Sequence, residues 1–286
     1  MATHFQKPFL FIAILAVGLL LSVSSALASG RVFYDGWEAG NTSQWVQDGS
    51  RNKCNAVTSA ADGGVGPLSG AYMVRCNWNG VVVWNDPAAY ETLRLSSLGF
   101  SGGSELFLRF YLRVDNNAKD HPAWGPKIWR LAAANDLSFW AMNFRDGSAT
   151  GSLYNNVGNQ IGGTFWGGLS TLSNGQWHKY ELYIKNGTTD GTARYWEDDQ
   201  MQWEAVNVNT SQPGGVGAWA PFYMSSNWSG APGCCDHDTT NYLYWDDFEI
   251  YSDTGSGGSG LMSAGTMTQG GGDTTPPAAP TGLGVQ

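Results

Sequence analysis

From residue 104 to 114 the chain reads SELFLRFYLRV, placing Leu106, Leu108, Phe110 and Leu112 on one side and Phe107, Arg109, Tyr111 and Arg113 on the other. The stretch GQWHKYELYIKN (175–186) sets Trp177, Lys179, Glu181 and Tyr183 against His178, Tyr180, Leu182 and Ile184. A period of two marks strands whose two faces meet different surroundings. ARYWEDDQMQWEAV predicts a strand, a tight turn at Asp198-Asp199 and a second strand, and LYWDDFEIYS (243–252) predicts another. Around 127–131, Lys127, Trp129 and Leu131 alternate with Ile128 and Arg130. With turn signals about every ten residues, this grammar predicts an all-β, two-sheet antiparallel sandwich. In the last strand, alternation puts Tyr244, Asp246, Phe248 and Ile250 on one face and Trp245, Asp247, Glu249 and Tyr251 on the other. Asp246 is thus expected among core residues, where its carboxylate needs a calcium ion, a backbone donor or a basic side chain.

The two ends of the chain break the pattern. Lys7 precedes an uncharged apolar run from about Phe9 to Val23, followed by the Ala-x-Ala stretch Ala26-Leu27-Ala28. That is the grammar of a secretory signal peptide over residues 1–28, and the run is shorter than a membrane-spanning helix needs. The expected product is a secreted, extracellular protein that is not inserted in a membrane after signal cleavage. At the other end, residues 254–275 form a Gly/Ser-rich linker. Between them, 29–253 reads as one domain, large enough for a sizeable core.

Composition narrows the partners. The chain carries 15 Lys and Arg against 24 Asp and Glu, a net charge of −9. Such a balance excludes a nucleic-acid binder that works through phosphate contacts and gives no attraction to anionic membranes. A basic cleft in an acidic protein still suits an acidic polysaccharide. Four cysteines in an exported chain favour disulfides. We expect Cys54 to pair with Cys76 across neighbouring strands, leaving Cys234 and Cys235 as a vicinal disulfide or free, with crossed pairing as the alternative. Zinc at the Cys-Cys-Asp-His-Asp run (234–238) is disfavoured, because adjacent cysteines rarely reach one tetrahedral ion.

The stretches FYDGWEAGNTSQW, GQWHKYELYIKNGTTDGTARYWEDD and NYLYWDDFEIYSD together resemble concanavalin A-like (laminin G-like) jelly rolls, and most closely the secreted polysaccharide lyases of the heparin lyase I-like type. The resemblance covers about residues 31–253. It implies two packed antiparallel sheets with a glycan groove on one of them. It also implies a structural calcium, with Glu38 and Asp246 as first candidates and Asp35 and Asp247 behind them. The closing PPAAPTGLGVQ (276–286) resembles the start of a fibronectin type III module, truncated after its first strand.

A lyase of this kind must neutralise a uronate carboxylate, remove the proton at C5 and protonate the leaving oxygen. By residue type and predicted face, Tyr223 and His237 are candidates for proton transfer, and Arg130, Asn143 or Asn227 for the carboxylate. Lys127, Trp140, Trp228 and His121 are candidate substrate contacts. His178 alternates with Leu182 and Ile184 and reads as a packing residue. A glycoside hydrolase is the weaker enzymatic reading, since the nearest Glu-x-Asp-x-x-Glu stretch, Glu197 to Gln202, lacks its last acid and spans a turn. The non-enzymatic alternative is a carbohydrate-binding or adhesion module for a polysaccharide or cell-surface glycan. Among 14 Trp residues, Trp124, Trp129, Trp140, Trp166, Trp219 and Trp228 are candidate sugar platforms, although most Trp must fill the core.

Overall fold

The computed structural model describes residues 31–48, 54–61, 63, 65–77, 92–95, 97–115, 127–132, 138–145, 148–154, 160–167, 175–219, 222–224 and 242–253. For 48, 77, 92, 127, 128 and the parts within 138–167 this covers the backbone course only. The expectations for residues 1–28, 254–275 and 276–286 lie outside the described residues, as do those for His121, Asn227, Trp228, Cys234, Cys235 and His237.

In chain order the strands are β1 (Arg31–Asp35), β2 (Val46–Asp48), β3 (Cys54–Val57), β4 (Met73–Asn77), β5 (Thr92–Leu95), β6 (Glu105–Val114), β7 (Lys127–Ala132) and β8 (Ser138–Arg145). They continue with β9 (Ser148–Tyr154), β10 (Gln160–Gly167), β11 (Trp177–Lys185), β12 (Gly191–Glu197), β13 (Gln200–Val208), β14 (Phe222–Met224) and β15 (Tyr242–Ser252). One sheet runs β13-β12-β11-β6-β15-β4-β3, with β1 also pairing with β15, and the other runs β10-β9-β8-β7-β14-β5-β2. Neighbours pair antiparallel throughout, so the protein is the all-β two-sheet sandwich that the alternation predicts, consistent with the jelly roll that the resemblance implies.

The core forms where the even-numbered apolar residues of β6 and β11 meet the seven-stranded sheet. Leu106, Leu108, Phe110, Leu112, Tyr180, Leu182 and Ile184 are all buried there. Phe110 sits at its centre: its ring stacks on Tyr180 at 5.6 Å and lies 5.2 Å from Trp245, 5.9 Å from Trp129 and 5.6 Å from Phe222. These rings come from both sheets, so Phe110 ties the two layers together. On the opposite face of the eight-stranded sheet, Arg109 pairs with Glu181 at 2.7 Å and with Glu249 at 3.5 Å, and Arg31 reaches Glu249 at 3.0 Å. Trp129 and Trp219 are 1% and 0% exposed in the core, which removes both as sugar platforms.

Cys54 and Cys76 are directly opposed on β3 and β4 and form the expected disulfide. The expected turn at Asp198-Asp199 is also present. Both residues take positive φ (48° and 66°), the backbone twist that a two-residue hairpin between β12 and β13 demands.

The last strand departs from expectation. Regular alternation holds from Tyr242 to Asp246, with Leu243 and Trp245 in the core and Tyr244 in a separate cluster with Ala60 and Met73. The register against β6 then slips, as Asp246 faces Tyr111 while Glu249 faces Arg109. Three steps on β15 thus match two on β6, a bulge in which Asp247 adopts φ 45°. Phe248 and Ile250 therefore join Trp245 in the core, and Tyr244 and Asp246 do not share their face. A single inserted residue inverts a period of two, which strand alternation alone does not register.

Phe110→Ala is expected to lower unfolding free energy by about 3–5 kcal/mol, the usual cost of deleting a buried aromatic ring. Urea denaturation should show a lower midpoint with an unchanged slope.

Candidate functional site

On β5, β7 and β14 the core-facing residues are Leu93, Leu95, Trp129, Leu131, Phe222 and Met224. Their intervening neighbours Arg94, Arg130 and Tyr223 project from the other side and are each partly exposed. These three are in direct register, since Tyr223 faces Arg130 on β7 and Arg94 on β5. Directly opposed residues on neighbouring strands stand about 5 Å apart at Cβ, so the side chains form one continuous row. The Arg130 guanidinium carbon lies 5.9 Å from the centre of the Tyr223 ring. The row is a phenol flanked by two guanidinium groups, suited to gripping an anion beside a proton-transfer group.

The row brings together two of the sequence candidates, Tyr223 and Arg130, from segments that lie far apart in the chain. In the backbone register, Trp140 on β8 is the partner of Arg130. Asn143 lies three residues further along β8 and pairs with Ala149, away from this register line, while Lys127 begins β7 opposite Met142. Arg94 was not singled out by sequence reasoning. Its signal is present in Thr92-Leu93-Arg94-Leu95, where one cation stands between two core leucines.

The four acids assigned to a cation separate into three and one. Asp35 is committed to two donors, accepting from the Trp37 backbone N–H at 2.8 Å and the Trp45 indole N–H at 2.8 Å. Burial raises its proton affinity, and these two hydrogen bonds oppose the rise. Glu38, Asp246 and Asp247 instead converge on the segment from Leu68 to Tyr72. Asp246 Oδ2 accepts from the Leu68 and Ser69 amides at 2.8 and 3.2 Å, and its Oδ1 accepts from the Asp247 amide at 2.9 Å. Asp247 Oδ1 accepts from the Tyr34 hydroxyl at 2.7 Å and the Ser69 hydroxyl at 3.0 Å. The Glu38 carboxylate accepts from the Ala71 amide at 2.9 and 3.1 Å and from the Tyr72 amide at 3.3 Å.

Gly70 makes that seat possible. Its φ is +59°, and a Cβ on it would fall 2.1 Å from Glu38 Oε1. Asp246 is fully buried, and its partners are backbone donors, one of the three kinds expected. Burial and the adjacent Asp247 charge push its carboxyl up to about 8, against the pull of its three amide donors. Asp247 is raised too, chiefly by burial, with Glu249 and Glu38 adding and the Tyr34 and Ser69 hydroxyls opposing.

No protein-family model matches the chain, and no curated protein does. Among solved structures, the chain is similar to the endo-beta-1,4-glucuronan lyase from the fungus Trichoderma reesei, at 15% identity and a TM-score of 0.56, over 78% of this chain and 95% of that one. It is similar as well to the cellulose induced protein Cip1, at 12% identity and a TM-score of 0.51, over 77% of this chain and 97% of that one. At these identities the likeness shows a shared sandwich fold.

Asp246→Ala leaves three amide donors without their carboxylate, at a cost of about 1–3 kcal/mol for such a buried group. Hydrogen exchange at Leu68 and Ser69 should accelerate at least about tenfold. Unchanged exchange would mean that the segment is held by something other than Asp246.

Proposed function

We propose that the protein is a secreted lyase that recognises a uronate-containing polysaccharide and cleaves it by β-elimination. The observation that carries this reading is Tyr223 standing in register between Arg130 and Arg94. A guanidinium can engage a uronate carboxylate through two parallel hydrogen bonds. Neutralising that carboxylate makes the neighbouring C5 proton easier to remove. Loss of the proton, rupture of the C4–O bond and protonation of the leaving oxygen give a C4=C5 double bond, with no water consumed. Tyr223 takes one of the two proton transfers. His237 and Asn227, outside the described residues, are retained from the sequence for the second transfer and for the carboxylate. Trp140, Trp228, Lys127 and His121 extend the contact to neighbouring sugars.

Two further considerations support the substrate class. In a chain of net charge −9, a row containing two arginines is a local reversal of sign, favourable to an anionic polymer. The fungal protein of like fold is named for its action on glucuronan.

Purified protein with a panel of uronate polysaccharides tests the reading through the ultraviolet absorbance of the new double bond. Tyr223→Phe is expected to lower turnover by about 10²–10⁴-fold while glycan binding persists. Arg94→Ala is expected to weaken binding as well as turnover. Retention of a glycan by the native protein without new absorbance would reduce it to a binding module, and absence of both would remove the polysaccharide reading.

We also propose a structural calcium held by Glu38, Asp246 and Asp247. Three carboxylates gathered on one short segment suit a hard cation that takes oxygen ligands, and a divalent charge would offset their mutual repulsion. Asp35 is not part of this set, because its carboxylate faces Trp37 and Trp45 and makes no hydrogen bond to the segment from Leu68 to Tyr72. Calcium should raise the melting temperature and a chelator should lower it, with Asp246→Asn abolishing the difference. A melting curve indifferent to both additions in the native protein would eliminate the ion.

A further inference from the structure

The hairpin joining β12 and β13 carries a second group of donor atoms, distinct from both sites above. His178 is the second residue of β11, at the end of the core-facing series Tyr180, Leu182 and Ile184, and is 8% exposed. Glu197 ends β12 opposite Tyr180 and is 1% exposed. Asp198 begins the turn and stands at the surface. One donor atom from each of the three lies within 4.8 Å of the other two.

The backbone holds this arrangement. The Asp198 amide donates to the Lys179 carbonyl at 2.9 Å, and Asp198 Oδ1 accepts from the Lys179 amide at 2.9 Å. Its Oδ2 meets His178 Nδ1 at 2.7 Å. Its carboxylate thus lies against the start of β11 while remaining partly open to solvent. The Tyr180 hydroxyl donates a long hydrogen bond of 3.5 Å to Glu197 Oε1, so the second carboxylate has an orienting neighbour. The nearby ammonium of Lys179 pairs with other acids, touching Asp199 and lying 3.9 Å from Glu181.

We propose that His178, Glu197 and Asp198 bind a divalent transition-metal ion of the zinc type. An imidazole with two carboxylates supplies mixed nitrogen and oxygen donors and two negative charges, a set that suits zinc better than the all-oxygen preference of calcium. The ion takes the Nδ1 lone pair of the neutral imidazole, the tautomer whose proton sits on Nε2, and replaces the hydrogen bond between Nδ1 and Asp198. Water completes the coordination, so the ion braces the turn end of the hairpin against β11 while keeping an exchangeable position.

The test uses the full chain, freed of metal with a chelator, titrated with zinc by calorimetry and with cobalt by visible spectroscopy. One equivalent of zinc is expected to bind, with a cobalt spectrum free of thiolate charge-transfer bands. His178→Gln and Asp198→Asn should each weaken binding at least about tenfold, the equivalent of about 1.4 kcal/mol, and Asp246→Asn should leave it unchanged. Asp198 lies in an exposed turn, so its variant remains informative should the His178 variant fail to fold. Absence of zinc binding, equal binding by Asp198→Asn, or a thiolate-type cobalt spectrum would each overturn the assignment.

Discussion

The sandwich depends on how its last strand manages two incompatible demands. β15 lies deep in the eight-stranded sheet, between β6 and β4 along one half and between β6 and β1 along the other. Both Trp245 and Phe248 belong to the core, yet they are three residues apart, a spacing that a regular strand sends to opposite faces. The bulge at Asp246 and Asp247 resolves the conflict by inserting one residue against β6. Its by-product is a pair of adjacent carboxylates on the side away from the core, where the segment 68–72 crosses. The acid seat and the aromatic core are therefore two results of one irregularity in the backbone.

This explains how much could be read beforehand. The strands β6 and β11, the β12–β13 hairpin and the Cys54–Cys76 pairing were legible because each is a local pattern or a simple cross-strand match. The inversion within β15 was not, since YWDDFEIY alternates plausibly in either phase and only the partner strand reveals the extra residue. In the row on β5, β7 and β14, Tyr223 and Arg130 were recognisable as chemical types, but their pairing depends on β14 joining β7, a contact between distant parts of the chain. Arg94 escaped notice because a lone arginine in a short strand acquires meaning only from its neighbour across the sheet. Trp129 and Trp219 show the reverse limit: composition signals aromatic abundance without telling platform from filling.

The row formed by Arg94, Tyr223 and Arg130 owes its order to what lies beneath it. Each of its strands is anchored by the leucine, methionine and aromatic side chains on either side of the projecting residue. Close packing leaves such strands little freedom to tilt, so the three functional groups are fixed by the backbone rather than by one another. Phe110 matters to the row for the same reason, since its contacts with Trp129 and Phe222 set the level of β7 and β14 above the opposite sheet.

The Cys54–Cys76 bond has a topological consequence. Along its sheet, β3 is a terminal strand, the kind of position at which a chain can peel away and let a neighbouring molecule's strand take its place. Because the bridged residues are directly opposed, β3 cannot slide along β4 or exchange for a foreign strand without breaking a covalent bond. The bond is a built-in guard against domain swapping and fibre growth.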